Sequence, residues 1–316
     1  MDYQVSRYDL LNPKVCGTIL VAIRASKSRL QSNTYPVFSM HQTSFNSLIP
    51  PQPEILVQLN KQCKLAHPEL GVIAALIKND VAIYAAILKS INSPYYGLAV
   101  RITSIEHAIN LLGFERVLNL VRLIIMHNTL KKTGRMERFW DTARDVSKLS
   151  VSLAESLCLG INTDDQQALG MLHDCGLPLM IQAFKDYRDF LRDHPGCNSN
   201  TLEQAELTRF GLSHYQVGAR MTERWYLPAH IAESIRLQPQ RLDVLTDRID
   251  ADERSRHLLA ILTLAQDIST EYRYYWRISS TEHVEAVKAA QAFLGILEYD
   301  YLNIKEGLIE TMAQDE

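Results

Sequence analysis

No uninterrupted apolar stretch in this 316-residue chain approaches the ~20 residues that a bilayer-spanning helix needs. The polar start Met1-Asp2-Tyr3-Gln4 lacks the pattern of a secretory leader. A cytoplasmic location, away from membranes, is therefore expected. The five cysteines, Cys16, Cys63, Cys158, Cys175 and Cys197, form neither a CxxC pair nor a regular ladder. They read as reduced thiols, mostly buried. A basic excess is also missing: 33 Lys+Arg against 36 Asp+Glu give a net charge of -3, so nucleic acid is not an expected partner. No segment shows the sustained alternation of a half-buried strand, and no fixed-period repeat is present.

What remains is helical patterning. With 47% hydrophobic residues the chain can bury a substantial core, and its length allows about two domains. The stiff opening Pro50-Pro51-Gln52-Pro53 leads into Ile55, Leu56, Leu59 and Cys63 at helical spacing. Apolar faces recur over 69–78, 81–91, 104–111 and 115–130, broken at Asn79-Asp80, Ser93-Pro94 and Gly113. The polar connector Lys131-Lys132-Thr133-Gly134-Arg135 marks a boundary. Beyond it, helices are predicted over 138–159, from Asp164, from about 202 and 214, from Leu227-Pro228, and over 255–269, 282–294 and 299–312. Capping-box spacing in Thr201-Leu202-Glu203-Gln204 and Ser213-His214-Tyr215-Gln216 sets two of these starts. The expected fold is all-α, divided into an N-terminal extension (1–48), an N-terminal helical subdomain (49–130), a second helical subdomain (131–270) and C-terminal helices (271–316). The extension is expected to be partly helical or flexible. A helix starting near Asn12-Pro13 would carry Val15, Ile19, Leu20 and Ile23 on one face.

The chemistry-bearing feature is a His-Asp dipeptide inside an apolar helical stretch, Leu169-Gly170-Met171-Leu172-His173-Asp174-Cys175-Gly176-Leu177. Adjacent imidazole and carboxylate suit Mn, Fe or Mg if other helices bring further ligands. The alternative is a buried, mutually hydrogen-bonded pair. Tyr272, Tyr274, Tyr275 and Trp276, interleaved with Arg273 and Arg277, read either as a stacking platform for a nucleotide or as a helix end at a packed interface. The aspartate-rich Asp243 to Glu253 lacks calcium-loop spacing and reads as a solvated charged loop.

Two blocks, Lys89-Ser90-Ile91-Asn92-Ser93-Pro94-Tyr95-Tyr96-Gly97-Leu98 and Ile102-Thr103-Ser104-Ile105-Glu106-His107-Ala108-Ile109-Asn110-Leu111-Leu112-Gly113, resemble the signature of the HDOD family, output domains of bacterial signalling proteins related to HD and HD-GYP phosphohydrolases. Asn92, Ser93, Tyr96, Gly97 and Gly113 carry that likeness. It extends through Leu172-His173-Asp174-Cys175-Gly176, Phe210-Gly211-Leu212-Ser213-His214-Tyr215-Gln216-Val217-Gly218-Ala219 and Trp225-Tyr226-Leu227-Pro228, covering 49 to about 270. The resemblance implies an all-α, HD-like multi-helix bundle used for signal output and protein interaction.

It also implies where catalytic ligands would stand. An active HD phosphohydrolase needs a histidine from an earlier helix and a later aspartate beside the His-Asp pair, so that a metal activates water. Here Thr142 falls at the first position and Gln266 at the second, with Asp267 one residue away. The segment Ile235-Arg236-Leu237-Gln238-Pro239 stands where relatives often carry paired histidines. The expectation is a catalytically inactive HD relative with no cofactor, in which His173, Asp174, His214 and Asp267 are vestigial metal candidates. Its expected partners are signalling proteins such as kinases, response regulators or cyclic-dinucleotide enzymes, with sensor and output supplied by another polypeptide. The alternatives are a divergent metal-dependent phosphohydrolase acting on a nucleotide or cyclic dinucleotide, and a nucleotide-sensing module without turnover.

Overall fold

Short polar side chains cap the starts of several helices. The structure, a computed structural model, describes residues 48–314 apart from 66, 94–95, 97, 132–135, 158–161, 196–197 and 274–279. The described residues all lie within one unit, Ser44–Glu316. Its first part comprises α1 (Glu54–Cys63), α2 (Leu70–Lys78), α3 (Val81–Ile91), α4 (Ile105–Leu112) and α5 (Phe114–Lys131). Pro53 stands at the N-cap of α1. Asp80 Oδ1 accepts from the Ala82 and Ile83 amides at 3.1 and 3.0 Å, and Ser104 Oγ accepts from the His107 amide, satisfying donors that a helix start leaves open. Gly113, at φ 88°, turns the chain from α4 into α5.

The second part comprises α6 (Glu137–Ser156), α7 (Thr163–Leu172), α8 (Gly176–Ala183), α9 (Tyr187–Asp193), α10 (Ser199–Phe210), α11 (His214–Arg224), α12 (Ala229–Leu237) and α13 (Arg241–Leu245). A 3-10 turn, Gln238–Gln240, joins the last two, and α14 (Glu253–Arg273), α15 (Thr281–Leu294) and α16 (Glu298–Gln314) complete the order. No strand occurs among the described residues, and the all-α expectation holds. The core is organised on α14, where every residue from Leu258 to Ala265 is buried. A helix buried on all sides must be enclosed by others, and α14 packs against α6, α7, α12 and α15.

Several local expectations are corrected. Helix α10 begins at Ser199 rather than near 202, because Asn198 accepts from the Thr201 amide at 2.7 Å and caps the helix one turn earlier. Asp243 to Glu253 is not simply a loop: Asp243 lies in α13, and Asp252 caps α14 through the Arg254 and Ser255 amides. The short α9 carried too few residues to show a period, and it rests on Tyr187 and Phe190 packed against Phe210. The His-Asp pair does not lie within a helix: α7 ends at Leu172, and 173–175 form the turn into α8. Residues 1–47 of the extension 1–48, with its predicted helix, lie outside the described residues.

No single described helix is long and apolar enough to cross a membrane. The bent pair α2 and α3 passes by length and composition only, and its Ile73, Ile77, Ile83 and Ile87 are buried in the core.

Candidate functional site

Two glycines bracket the His-Asp pair and fix its surroundings. A Cβ on Gly170 would stand 2.5 Å from Ser147 Cα, so α7 lies directly on α6 at that point. A Cβ on Gly176 would stand 1.9 Å from the His214 carbonyl oxygen, so the start of α8 is seated on the start of α11. The second contact brings the His214 ring to the turn that carries His173 and Asp174. The capping box of Ser213 and Gln216 holds that end of α11 in register.

The polar groups at this junction answer one another. His173 Nδ1 donates to the Gly170 carbonyl at 2.8 Å, and its Nε2 lies 3.2 Å from Asp174 Oδ2. His214 Nδ1 donates to Glu206 at 2.8 and 2.9 Å, while Nε2 lies 3.7 Å from Asp174 Oδ1. Glu206 also accepts from the His214 amide at 3.0 Å and from the Tyr187 hydroxyl. The ring nitrogens of both histidines thus face acceptors, which favours imidazolium. Burial opposes that charge, but the carboxylates outweigh burial: the His173 pKa is raised, and that of His214 is pushed up to about 9. Burial acts on Asp174 in the opposite sense, yet the His173 and His214 contacts hold its carboxyl well below the usual range.

Asp174 opens on a cavity of about 310 Å³. Thr142, His173, Ser199, Tyr215, Arg241 and Gln266 are among its lining residues. The two positions that depart from the hydrolase ligand pattern are both engaged elsewhere. Thr142 Oγ1 donates to the Arg138 carbonyl at 2.9 Å, and Gln266 Oε1 accepts from Arg241. Gln238, within the segment lacking paired histidines, donates to the His173 carbonyl at 2.7 Å. Asp267 does not join the pair. Its carboxylate takes His283 at 2.9 Å, Tyr301 at 2.7 Å and Lys305 at 2.6 Å, tying α14 to α15 and α16. Among the described residues, no three His, Cys, Asp or Glu side chains are grouped to hold a metal ion. A threonine hydroxyl and a carboxamide are poor substitutes for imidazole and carboxylate. The donor set therefore does not fit the metal that an active HD site requires.

Residues 49–240, more than half of the chain, match the HDOD domain family. The chain belongs to the HDOD family. An HDOD domain protein of unknown function from Geobacter sulfurreducens superposes with a TM-score of 0.61 at 20% identity, over 85% of this chain and 93% of that one. A candidate phosphohydrolase from Shewanella amazonensis SB2B superposes at 0.59 with 18% identity, over 84% and 91% of the two chains. At these identities the likeness shows the fold. An uncharacterized protein of Treponema pallidum (strain Nichols) is 24% identical over 189 residues, 60% of this chain. The match spans 37% of that relative's length.

Asn92 and Ser93 of the HDOD signature act as braces. Asn92 donates to the Leu88 and Ile102 carbonyls, both at 2.8 Å, and accepts from the Ile102 amide at 2.7 Å, pinning the far side of the loop to the end of α3. Ser93 Oγ donates to the Ser90 carbonyl at 2.6 Å. The Tyr96 ring lies 5.1 Å from the Arg116 guanidinium. Gly97 lies outside the described residues, as do Tyr274, Tyr275, Trp276 and Arg277 of the aromatic cluster. Of that cluster, Arg273 reaches Asp145 on α6. Cys63 and Cys175 are free thiols, and the other three cysteines are not described.

Sequence reasoning missed Glu206 and Arg241. Glu206 is wholly buried in α10, eight residues before His214, on a helix whose polar and apolar residues show little segregation. Its only sequence signal was a carboxylate one helix ahead of a motif histidine.

Proposed function

We propose that this HDOD protein is a non-enzymatic signal-transduction component that acts by binding other proteins. What supports this reading is the consumption of the site's own donors. His173, Asp174 and His214 are held by one another, by Glu206 and by the Gly170 carbonyl. Thr142 and Gln266 stand where an active relative would carry ligands. Regulation would then run through helix packing. A partner such as a kinase, a response regulator or a cyclic-dinucleotide enzyme, with different affinity for two arrangements of the helices, would shift their populations.

The second reading, a divergent metal-dependent phosphohydrolase, draws on the cavity beside Asp174 and on the name of the Shewanella relative. One measurement separates the two. Protein expressed with added manganese and iron, and purified without chelator, is expected to contain far less than one metal per chain by plasma mass spectrometry. Near-stoichiometric metal that disappears in His173→Ala, together with hydrolysis of bis-p-nitrophenyl phosphate, would overturn the non-enzymatic reading.

A further inference from the structure

Arg241 is a cation whose hydrogen-bond partners are all neutral, while the carboxylates of Asp174 and Glu282 act on it only from farther away. Its Nε donates to the Gln238 carbonyl at 2.9 Å, one terminal nitrogen donates to Gln266 Oε1, and the other donates to Ser199 Oγ at 2.6 Å. Among the described residues no carboxylate comes within the 4.0 Å of an ion pair with it. A guanidinium has five N–H donors, so one on each terminal nitrogen is left over after these three bonds. Arg241 lines the 310 Å³ cavity together with Asp174 and Tyr215. The charge of Asp174 is already answered by His173 and His214.

Two long helices also begin at this cavity. Asn198 and Ser199 open α10, and Ser280 and Glu282 open α15; all four residues line the wall. The first turns of both helices carry amide donors without intrahelical acceptors and the positive end of the helix dipole. Each N-cap side chain satisfies one of those amides, Thr201 in α10 and His283 in α15. One feature opposes an anion. The Glu282 carboxylate also lines the cavity, and burial raises its pKa against the lowering effect of Arg241.

We propose that this cavity binds the phosphate group of a small molecule, gripped by the Arg241 guanidinium between the starts of α10 and α15, and that Glu282 competes with it for the same charge. The planar fork of arginine matches phosphate oxygens two at a time. Donors approaching from two helices suit a tetrahedral anion better than a planar carboxylate. The volume falls at the low end for small-molecule sites, which limits the ligand to a compact one. The ligand is either free phosphate or a small phosphate monoester. The site is independent of the partner-binding reading, because it requires neither turnover nor metal.

Calorimetric titration of the full chain with inorganic phosphate and with ribose 5-phosphate, against sodium chloride of equal ionic strength, tests the proposal. Saturable heat with phosphate or the monoester and none with chloride is expected. Tighter binding of ribose 5-phosphate would assign a monoester, and equal or weaker binding would assign the free ion. Arg241→Gln is expected to weaken binding by at least about tenfold, and Glu282→Gln to tighten it severalfold. No saturable heat with either probe, or an unchanged affinity in Arg241→Gln, would overturn the proposal. Should Arg241→Gln fail to fold, Glu282→Gln decides: unchanged or weaker binding in that variant counts against the site.

Discussion

The His214 imidazole and the Glu206 carboxylate form a buried pair, with Nδ1 2.8 and 2.9 Å from the two carboxylate oxygens and the His214 backbone amide 3.0 Å from one of them. Three contacts between one histidine and one carboxylate lock the end of α10 to the start of α11. They also present the other face of the ring to Asp174. Removing Glu206 would leave His214 Nδ1, the His214 amide and the Tyr187 hydroxyl, all buried, without this acceptor. Glu206→Ala is expected to cost about 3–5 kcal/mol of stability in urea unfolding. Glu206→Gln keeps an acceptor and should cost less. Equal stability of Glu206→Ala and the parent would show that the pair is dispensable.

Asp174 and Glu206, facing the buried His214 ring from two sides, make stability depend on pH on the alkaline side. The His214 pKa is raised from 6.5 to about 9 in the folded protein. A group whose pKa is higher folded than unfolded contributes in full below the unfolded value and loses that contribution as pH rises through the folded one. The melting temperature is therefore expected to fall between pH 6.5 and about 9, and His214→Gln should flatten that decline. The contribution of Asp174, whose pKa is depressed, is present above its unfolded value and is lost only in acid. An identical pH profile in His214→Gln would remove His214 as the cause.

Gly176 is required by close approach rather than by backbone angle. Its Cβ would stand 1.9 Å from the His214 carbonyl oxygen and 2.9 Å from the Gly218 amide nitrogen, both backbone atoms. Gly176→Ala is expected to destabilise the protein by about 3 kcal/mol or more, since α8 must lift off α11. Gly71, in α2, has nothing within 4 Å of such a Cβ, and Gly71→Ala should stabilise by about 0.5–1 kcal/mol through helix propensity. Thermal denaturation of the two variants side by side reads out the contrast.

Asn92 predicts a structural rather than a binding role for the signature loop. Its carboxamide is joined to Ile102, ten positions along the chain, by a donor and an acceptor. Asn92→Ala is expected to cost about 1–2 kcal/mol, and Asn92→Asp, which loses the two donors, an intermediate amount. Amide hydrogen exchange should show the Ile102 amide losing protection in both the alanine variant and, to a lesser degree, the aspartate variant. Unchanged protection in Asn92→Ala would mean that the loop is held by other contacts.

Helix periodicity, turn residues and signature blocks were local properties, and from them the sequence by itself determined the all-α class, most helix boundaries and the HDOD kinship. The capping box at Ser213 and Gln216 fixed the start of α11 because both partners lie within one turn. Where two local caps competed, as Asn198 and Thr201 did, pattern alone did not choose. The departures at Thr142 and Gln266 were legible as residue types. Only the tertiary structure decided what surrounds His173 and Asp174. Glu206 and Arg241 lie 33 and 68 positions beyond His173 in the chain; Glu206 reaches the pair only through His214, which Gly176 seats beside the turn, and Arg241 shares the cavity wall with His173 and Asp174. Asp267 is adjacent to Gln266 in sequence, yet successive helical residues face different directions. Gln266 therefore enters the cavity, while Asp267 turns to His283 and Lys305.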